Sequence, residues 1–371
     1  MTIVFVAPFM ASMLRGIERL VFEVGTRLAA RGHRVHIIYW PGPDPWPYGP
    51  PGANLFPHQM PLGRYYQRYL AGMLYPLYFR RLKPDVVTFF YSWQGEDIAC
   101  ALDALWDTAR TACVLSVQYP VEQVPQRYAT LAASRLVRRA RTLVACSGYV
   151  ADGVRAYLGH DPTVITNGVD TDHFLPADAA TRAAARWELG VPDDCTVYCT
   201  VAALEERKGV GRALEALALL KARGGRFRYL VVGDGPFRPR IEELIAAHGL
   251  REEVRLVGVQ ADLRPFYHAC DVLLFLSHGE GAPLAPLEAM SSALPIIAAD
   301  QPPLPAFLPA RGTIFVEDSS PAAVLGALEV LAADPARMLA MGAFNRAYAV
   351  RHYAWETVAD NYERLFRNIA P

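Results

Sequence analysis

Glu280 and Glu288 stand eight positions apart in the stretch Ser277-His278-Gly279-Glu280-Gly281-Ala282-Pro283-Leu284-Ala285-Pro286-Leu287-Glu288-Ala289-Met290. Glu280 falls in a Gly/Pro loop straight after the apolar run Val272-Leu273-Leu274-Phe275-Leu276, and Glu288 just inside a helix that must end before Pro295. An ionised carboxylate only accepts hydrogen bonds, which suits it to the hydroxyls of a sugar or a ribose. A helix N-terminus beside it offers unpaired backbone N–H groups to an anion. Lys208 belongs to a second segment of similar design, Thr200-Val201-Ala202-Ala203-Leu204-Glu205-Glu206-Arg207-Lys208-Gly209-Val210, which reads as strand, loop and a helix beginning near Val210. A lysine at such a mouth can meet a diphosphate and neutralise charge growing on a departing phosphate. His278, beside Glu280, reads as a structural residue at the strand exit rather than as an acid or base.

Such segments need strands that end where helices begin. Short β-rich runs alternate with helical stretches along the whole chain, at 3–7, 35–39, 86–91, 113–117, 142–146 and 164–166, then at 197–202, 229–232, 254–256, 272–276, 296–298 and 313–316. This alternation implies βαβ units and parallel sheets, with strands covered on both faces where the apolar runs are continuous. In open sheets of this kind, ligands sit where strand carboxyl ends meet helix N-termini. At 371 residues the chain exceeds one ordinary core, so two domains are expected. The strand series restarts after the Asn167-Gly168 turn and the polar run that follows Pro176. The expected division is 1–175, 176–353 and a closing segment 354–371, within a helical pattern from about 336 to 369. Residues 41–51 read as an exposed Pro/Gly loop.

Lys+Arg and Asp+Glu both number 37, a balance that argues against general nucleic-acid binding. The six cysteines are scattered, several of them in strand-like runs, and read as reduced, buried thiols. The start, Met1-Thr2-Ile3-Val4-Phe5-Val6-Ala7-Pro8, reads as a first strand rather than a signal peptide. No apolar run approaches the ~20 residues of a membrane span. A cytoplasmic location is the expectation.

The Ser277–Met290 phrase, continued by Leu294-Pro295-Ile296-Ile297-Ala298, resembles the E-x7-E segment of retaining glycosyltransferases with the GT-B fold, in particular glycosyltransferase family 4. Further resemblances follow in the family's order. Leu14-Arg15-Gly16-Ile17-Glu18-Arg19 is similar to its G-G-x-E entrance, and Val164-Ile165-Thr166-Asn167-Gly168-Val169-Asp170 to its PNGVD junction. Val231-Val232-Gly233-Asp234-Gly235-Pro236 is similar to its VGDGP strand end, and Val257-Gly258-Val259 to the loop that meets the nucleotide base. Together they span the chain from Gly16 to Trp355.

The resemblance implies two doubly wound, Rossmann-like α/β domains facing a cleft, with the end of the chain crossing back to the first domain. A UDP-, GDP- or ADP-sugar would bind mainly the second domain, and a glycan, lipid or small-molecule acceptor the first. Glu288 would hold the ribose hydroxyls and Glu280 the transferred sugar. The backbone of Gly281, Ala282, Pro283 and Leu284 would line the sugar and phosphates. Lys208 would stabilise the leaving diphosphate, Arg15 and Gly16 would approach the phosphates, and Gly233 and Gly258 would form the donor loops. Transfer would retain configuration by reaction on the donor's front face, with a leaving-phosphate oxygen accepting the acceptor proton. No cofactor and no metal are expected: Asp170-Thr171-Asp172 reads as turn chemistry rather than a metal-binding D-x-D, because Asp in such turns bonds its own backbone.

Three positions depart from the family pattern. Ala203 stands where the family has an arginine, with Arg207 as a substitute cation. Arg15 replaces a glycine. Gln118 stands where many members have a histidine on the acceptor side; glutamine can orient a hydroxyl but cannot take a proton. These departures motivate a second reading, a catalytically degenerate GT-B protein that binds a sugar nucleotide or serves as a partner subunit. The aromatic and basic segment 64–83 reads as a core helix interrupted by Pro76, with peripheral contact to a membrane surface as the other reading.

Overall fold

The computed structural model describes residues 1–7, 10, 16–40, 46, 48, 50–60, 75, 77–91, 111–133, 137–138, 140–317 and 319–371. Arg15 and most of the segment 61–76 lie outside them. The chain forms two compact units, Met1–Gly168 with Trp355–Pro371, and Val169–Ala354.

In the first unit, β1 (Thr2–Val6), β2 (Arg34–Tyr39), β3 (Leu55–Gln59), β4 (Val86–Tyr91), β5 (Ala112–Val117), β6 (Thr142–Ala145) and β7 (Thr163–Val164) make one sheet in the order β3-β2-β1-β4-β5-β6-β7. The second unit holds β8 (Thr196–Val201), β9 (Phe227–Val232), β10 (Val254–Gly258), β11 (Val272–Phe275), β12 (Ile296–Ala299) and β13 (Thr313–Val316), in the order β10-β9-β8-β11-β12-β13. Every pairing within both sheets is parallel. Strand order reverses between β1 and β4 and again between β8 and β11, and such switch points are where open sheets leave a crevice for ligands.

β3 has no counterpart among the runs read from the sequence. Pro57 interrupts its apolar pattern and cannot donate to a ladder, and β3 accommodates it by lying at the sheet's edge, paired among the described residues with β2 alone. The division between units falls at Gly168/Val169, ahead of the expected 175/176. Val169 N–H donates to Tyr353 O at 2.7 Å, Ser291 Oγ to Phe174 O at 2.8 Å, and Arg346 to Thr171 O at 2.8 Å, so residues 169–174 are bonded into the second unit.

The closing helical pattern is two helices, Pro335–His352 and Trp355–Ile369. The second is amphipathic. Trp355, Val358, Ala359, Tyr362 and Phe366 recur at three- and four-residue intervals and are buried in the first unit's core, with Phe5, Leu20 and Ile37. Its polar side meets the helix Gly16–Ala30 and its exit. Arg31 pairs with Asp360 at 2.7 Å and with Glu363 at 2.9 Å, and His33 Nε2 lies 3.1 Å from Glu363. Arg367, His33 and Arg31 together hold the Glu363 carboxyl down to about 2. Tyr75 and Phe79 are buried and stack at 6.1 Å, which fits a core role for this part of the 64–83 segment. Among the described residues no helix is long and apolar enough to cross a membrane.

Candidate active site

β8 and β11 are neighbours, with Val272 opposite Tyr198 and Leu273 opposite Cys199, so the loops leaving their carboxyl ends emerge side by side. Two glycines let the strand exits here pack backbone to backbone. Gly209, at φ 74°, begins the helix Val210–Ala222, and a Cβ there would lie 2.3 Å from Leu276 O. Gly233, at φ 131° after β9, packs so closely under β8 that a Cβ would lie 1.9 Å from Ala202 O. Only glycine accepts both the positive φ and the approach. Arg212 reaches back from the helix to donate to Leu276 O at 2.7 Å, and His278 N–H donates to Arg207 O at 2.9 Å.

Through these contacts residues 72 apart in sequence meet: Lys208 Nζ lies 2.5 Å from Glu280 Oε1. Arg207 approaches the same oxygen at 3.3 Å, and Ser277 Oγ also donates to it. The Lys208 and Glu280 side chains are only 12% and 11% exposed, so the pair is largely removed from water, where opposite charges interact more strongly. Arg207 is more open and also pairs with Glu205 at 2.8 Å. The sequence reading assigned Lys208 to a diphosphate and Glu280 to a sugar; their direct contact, and the parts of Ser277 and Glu205, it did not supply. Arg207 does stand beside Lys208, as a substitute for the arginine missing at Ala203 would have to.

Glu288 lies on the helix Leu284–Ser291, where its Oε2 accepts from Tyr267 Oη at 2.8 Å. Tyr267, on the helix Arg264–Ala269, is buried, and burial followed by the Glu288 charge holds its phenol well above the usual range. It therefore stays a donor and fixes the carboxylate. Sequence reasoning passed over Tyr267, for which an aromatic in a helical run is no signal. Pro283 is the N-cap of the Leu284–Ser291 helix. Of the four N–H groups an α-helix leaves open, those at Pro283 and Pro286 do not exist, and those of Leu284 and Ala285 remain.

Gly258 ends β10 at φ 82°, and its carbonyl accepts from Gly233 N–H at 2.8 Å, which ties the two expected donor loops together. Burial, followed by the nearby Arg212 charge, lowers the pKa of His278, whose buried Nε2 has no hydrogen-bond partner among the described residues. Asp271, in contrast, sits at the opposite end of β11. There it accepts from Val197 N–H and Arg186, each at 2.7 Å, and pairs with Arg182, all in a structural setting. Asp170 Oδ1 accepts from the backbone N–H of Asp172 at 3.1 Å and of His173 at 2.9 Å, which is the turn chemistry expected of Asp-Thr-Asp.

In the first unit, Gly16 opens the helix Gly16–Ala30. Gln118 follows β5 and is buried; its Nε2 donates to Ser116 Oγ at 2.7 Å.

Residues 14–173 match the family described as Glycosyltransferase Family 4, and residues 181–347 match Glycosyl transferases group 1. The chain belongs to glycosyltransferase family 4. Among its relatives is a D-inositol 3-phosphate glycosyltransferase of Streptomyces bingchenggensis, 30% identical over 240 residues, with 61% of this chain and 52% of that protein covered. Another is a GDP-mannose-dependent alpha-(1-6)-phosphatidylinositol monomannoside mannosyltransferase of Mycolicibacterium smegmatis, 31% identical over 217 residues, covering 56% and 55%. The chain thus spans about half the length of the curated relatives it matches. Among solved structures, Anabaena Alr3699/HepE in complex with UDP aligns over 99% of this chain and 100% of its own, with TM-score 0.81 and 17% identity. At that identity the likeness speaks for the fold alone. The fold is GT-B, and the second unit carries most of the family 4 residues named above.

Proposed function

We propose that the chain transfers a sugar, with retention, from a nucleotide-diphosphate sugar to a hydroxyl of a glycan, lipid or small-molecule acceptor. The reading is carried by the cluster of Lys208, Arg207 and Glu280 at the β8/β11 switch point, within the stretch that matches the family. On this reading the two cations turn to the diphosphate when the donor binds. The glycosidic bond to the leaving phosphate breaks, the acceptor oxygen bonds the same face of the sugar carbon, and the acceptor proton passes to a leaving-phosphate oxygen. Lys208 and Arg207 balance the charge left on that phosphate. Glu280 faces the positive charge that develops on the sugar, and Glu288, held by Tyr267, takes the ribose hydroxyls. Fixed charges of this kind act without reorganising at the moment of reaction. Support for the donor class comes from a relative named for GDP-mannose and a structural neighbour solved with UDP.

A thermal-shift screen of UDP-, GDP- and ADP-sugars tests the donor class. A ligand at 100 times its dissociation constant stabilises by about 2.7 kcal/mol, a visible shift. The donor that shifts melting should release nucleoside diphosphate slowly without acceptor, and EDTA should leave that release intact, since Asp170 is turned to its own backbone. A protein that no sugar nucleotide stabilises would sink the proposal. Binding with no turnover in any acceptor screen would favour the degenerate, sensor-like reading that Ala203 motivates.

A further inference from the structure

Glu288 stands on a helix too short to aim it unaided. Leu284–Ser291 spans eight residues, and isolated helices below about 12–15 residues are marginal in water, so contacts from outside must set its direction. One such contact lies at its carboxyl end. Ser291 O, on the last residue of the helix, accepts from Arg346 Nη1 at 3.0 Å, and Ser291 Oγ accepts from the same nitrogen at 2.8 Å. A helix leaves its last carbonyls open, and a guanidinium there meets both the orphan oxygens and the negative end of the helix dipole.

Arg346 Nη1 serves a second segment at the same time. Thr171 O lies 2.8 Å from it and Phe174 O 3.3 Å, and Phe174 O also accepts from Ser291 Oγ at 2.8 Å. One guanidinium nitrogen carries only two hydrogens, so the four oxygens share them, and both segments are drawn to one point. Arg346 is itself held in place, because the fully buried Asn345 beside it donates to Leu294 O at 2.9 Å and to Gly312 O at 2.8 Å.

The other support of Glu288 leads to the same segment. Tyr267 Oη holds the carboxylate, and the Tyr267 ring meets Phe174 edge to face, with centroids 5.8 Å apart at 79°. Both rings are buried, so neither can turn without the other giving way. Residues 171–174 therefore touch both the helix that carries Glu288 and the phenol that orients it. The segment starts where the chain leaves the first unit: Val169 forms a parallel bridge with Ala354, the residue before the chain returns.

We propose that Phe174 and Arg346 are positioning residues for the donor, acting on the ribose through Glu288; this rests on the role given to Glu288 under the proposed function. Phe174 orients the carboxylate by backing Tyr267. Arg346 orients the helix by locking Ser291 to the backbone of 171–174. A plain structural bolt would alter stability and leave the donor affinity of the folded protein alone.

Two measurements test this. The first needs no donor. Arg346→Lys keeps the charge but loses the planar fork, and in the free protein it should speed hydrogen exchange about tenfold at the amides of 288–291, with β8 and β9 unchanged. The second is steady-state kinetics with the sugar nucleotide that stabilises the protein. Phe174→Leu, which stays apolar in its buried place, should raise the donor KM about fivefold, and Arg346→Lys by a similar factor, with kcat held within about twofold. In a Glu288→Ala background the same substitutions should raise KM less than about twofold, because the carboxylate they place is gone. Equal factors in the two backgrounds, a donor KM unmoved while melting falls, or unchanged exchange at 288–291 would overturn the proposal. If no sugar nucleotide stabilises the unmodified protein, the proposed function fails and takes the donor role of these residues with it, while the exchange result still tells whether the clamp exists.

Discussion

After β5 the chain runs into Gln118, and after β11 into Glu280. Both loops leave inner strands of parallel sheets. Gln118 turns its side-chain amide back to the Ser116 hydroxyl, two residues away. Glu280 is met by Lys208 and Arg207 from a loop more than seventy residues earlier, as well as by its near neighbour Ser277. A neutral amide can be satisfied by its own strand, whereas a sheltered carboxylate demands a cation, and only a neighbouring strand end can deliver one. The folded second unit therefore holds cations already assembled and partly dehydrated around one carboxylate, which is where the proposed function brings in the diphosphate.

That contrast can be broken most sharply at Lys208. Lys208→Ala should cost on the order of 2–4 kcal/mol of transition-state stabilisation, read as a fall in kcat/KM, and should weaken nucleoside-diphosphate binding. Unchanged kinetics with a verified donor would mean that the cluster is architectural. Glu280→Gln comes next: kcat should drop roughly 10²-fold with donor affinity little changed, because a carboxylate facing developing positive charge acts mainly in the transition state. A smaller effect is expected on the donor KM. Glu288→Gln should raise it with kcat nearly preserved, and Tyr267→Phe should do the same more weakly, by about 1 kcal/mol, since it removes only the hydrogen bond that holds Glu288. Reversed profiles for Glu280 and Glu288 would exchange their roles. Gln118→Ala is the mildest change. It should lower stability by about 1 kcal/mol and leave donor affinity alone, while raising the KM for the acceptor if Gln118 serves that side. An altered donor KM instead would erase the contrast between the two loops.

Much of this is legible in the sequence. Runs such as Val272-Leu273-Leu274-Phe275 have too few polar residues for anything but a strand buried on both faces, and Gly209 and Gly233 punctuate strand exits where loops must pack backbone to backbone. β3 was hidden because Pro57 imitates a loop, a disguise available only at an edge. The Lys208–Glu280 contact was hidden for a different reason: it depends on β11 lying beside β8 rather than beside β10, its predecessor in the chain, and strand order is not written in local pattern. Tyr267 gave no sign because its work is done by one hydroxyl on an otherwise ordinary core ring. The prolines at 283 and 286 were visible, yet their effect on the helix's open N–H groups needed the helix start to be fixed.

The helix Trp355–Ile369 sets the order in which the molecule can be finished. Trp355, Tyr362 and Phe366 fill the core around Phe5 and Ile37, so these earlier residues wait for residues made much later. The unit Val169–Ala354 is one uninterrupted stretch, and its interior is complete when Ala354 has been added. During synthesis, where domains generally fold as units from the N-terminus onward, this protein would run in the other sequence: the second unit closes first, and the first keeps an aromatic gap open until the ribosome has passed Phe366.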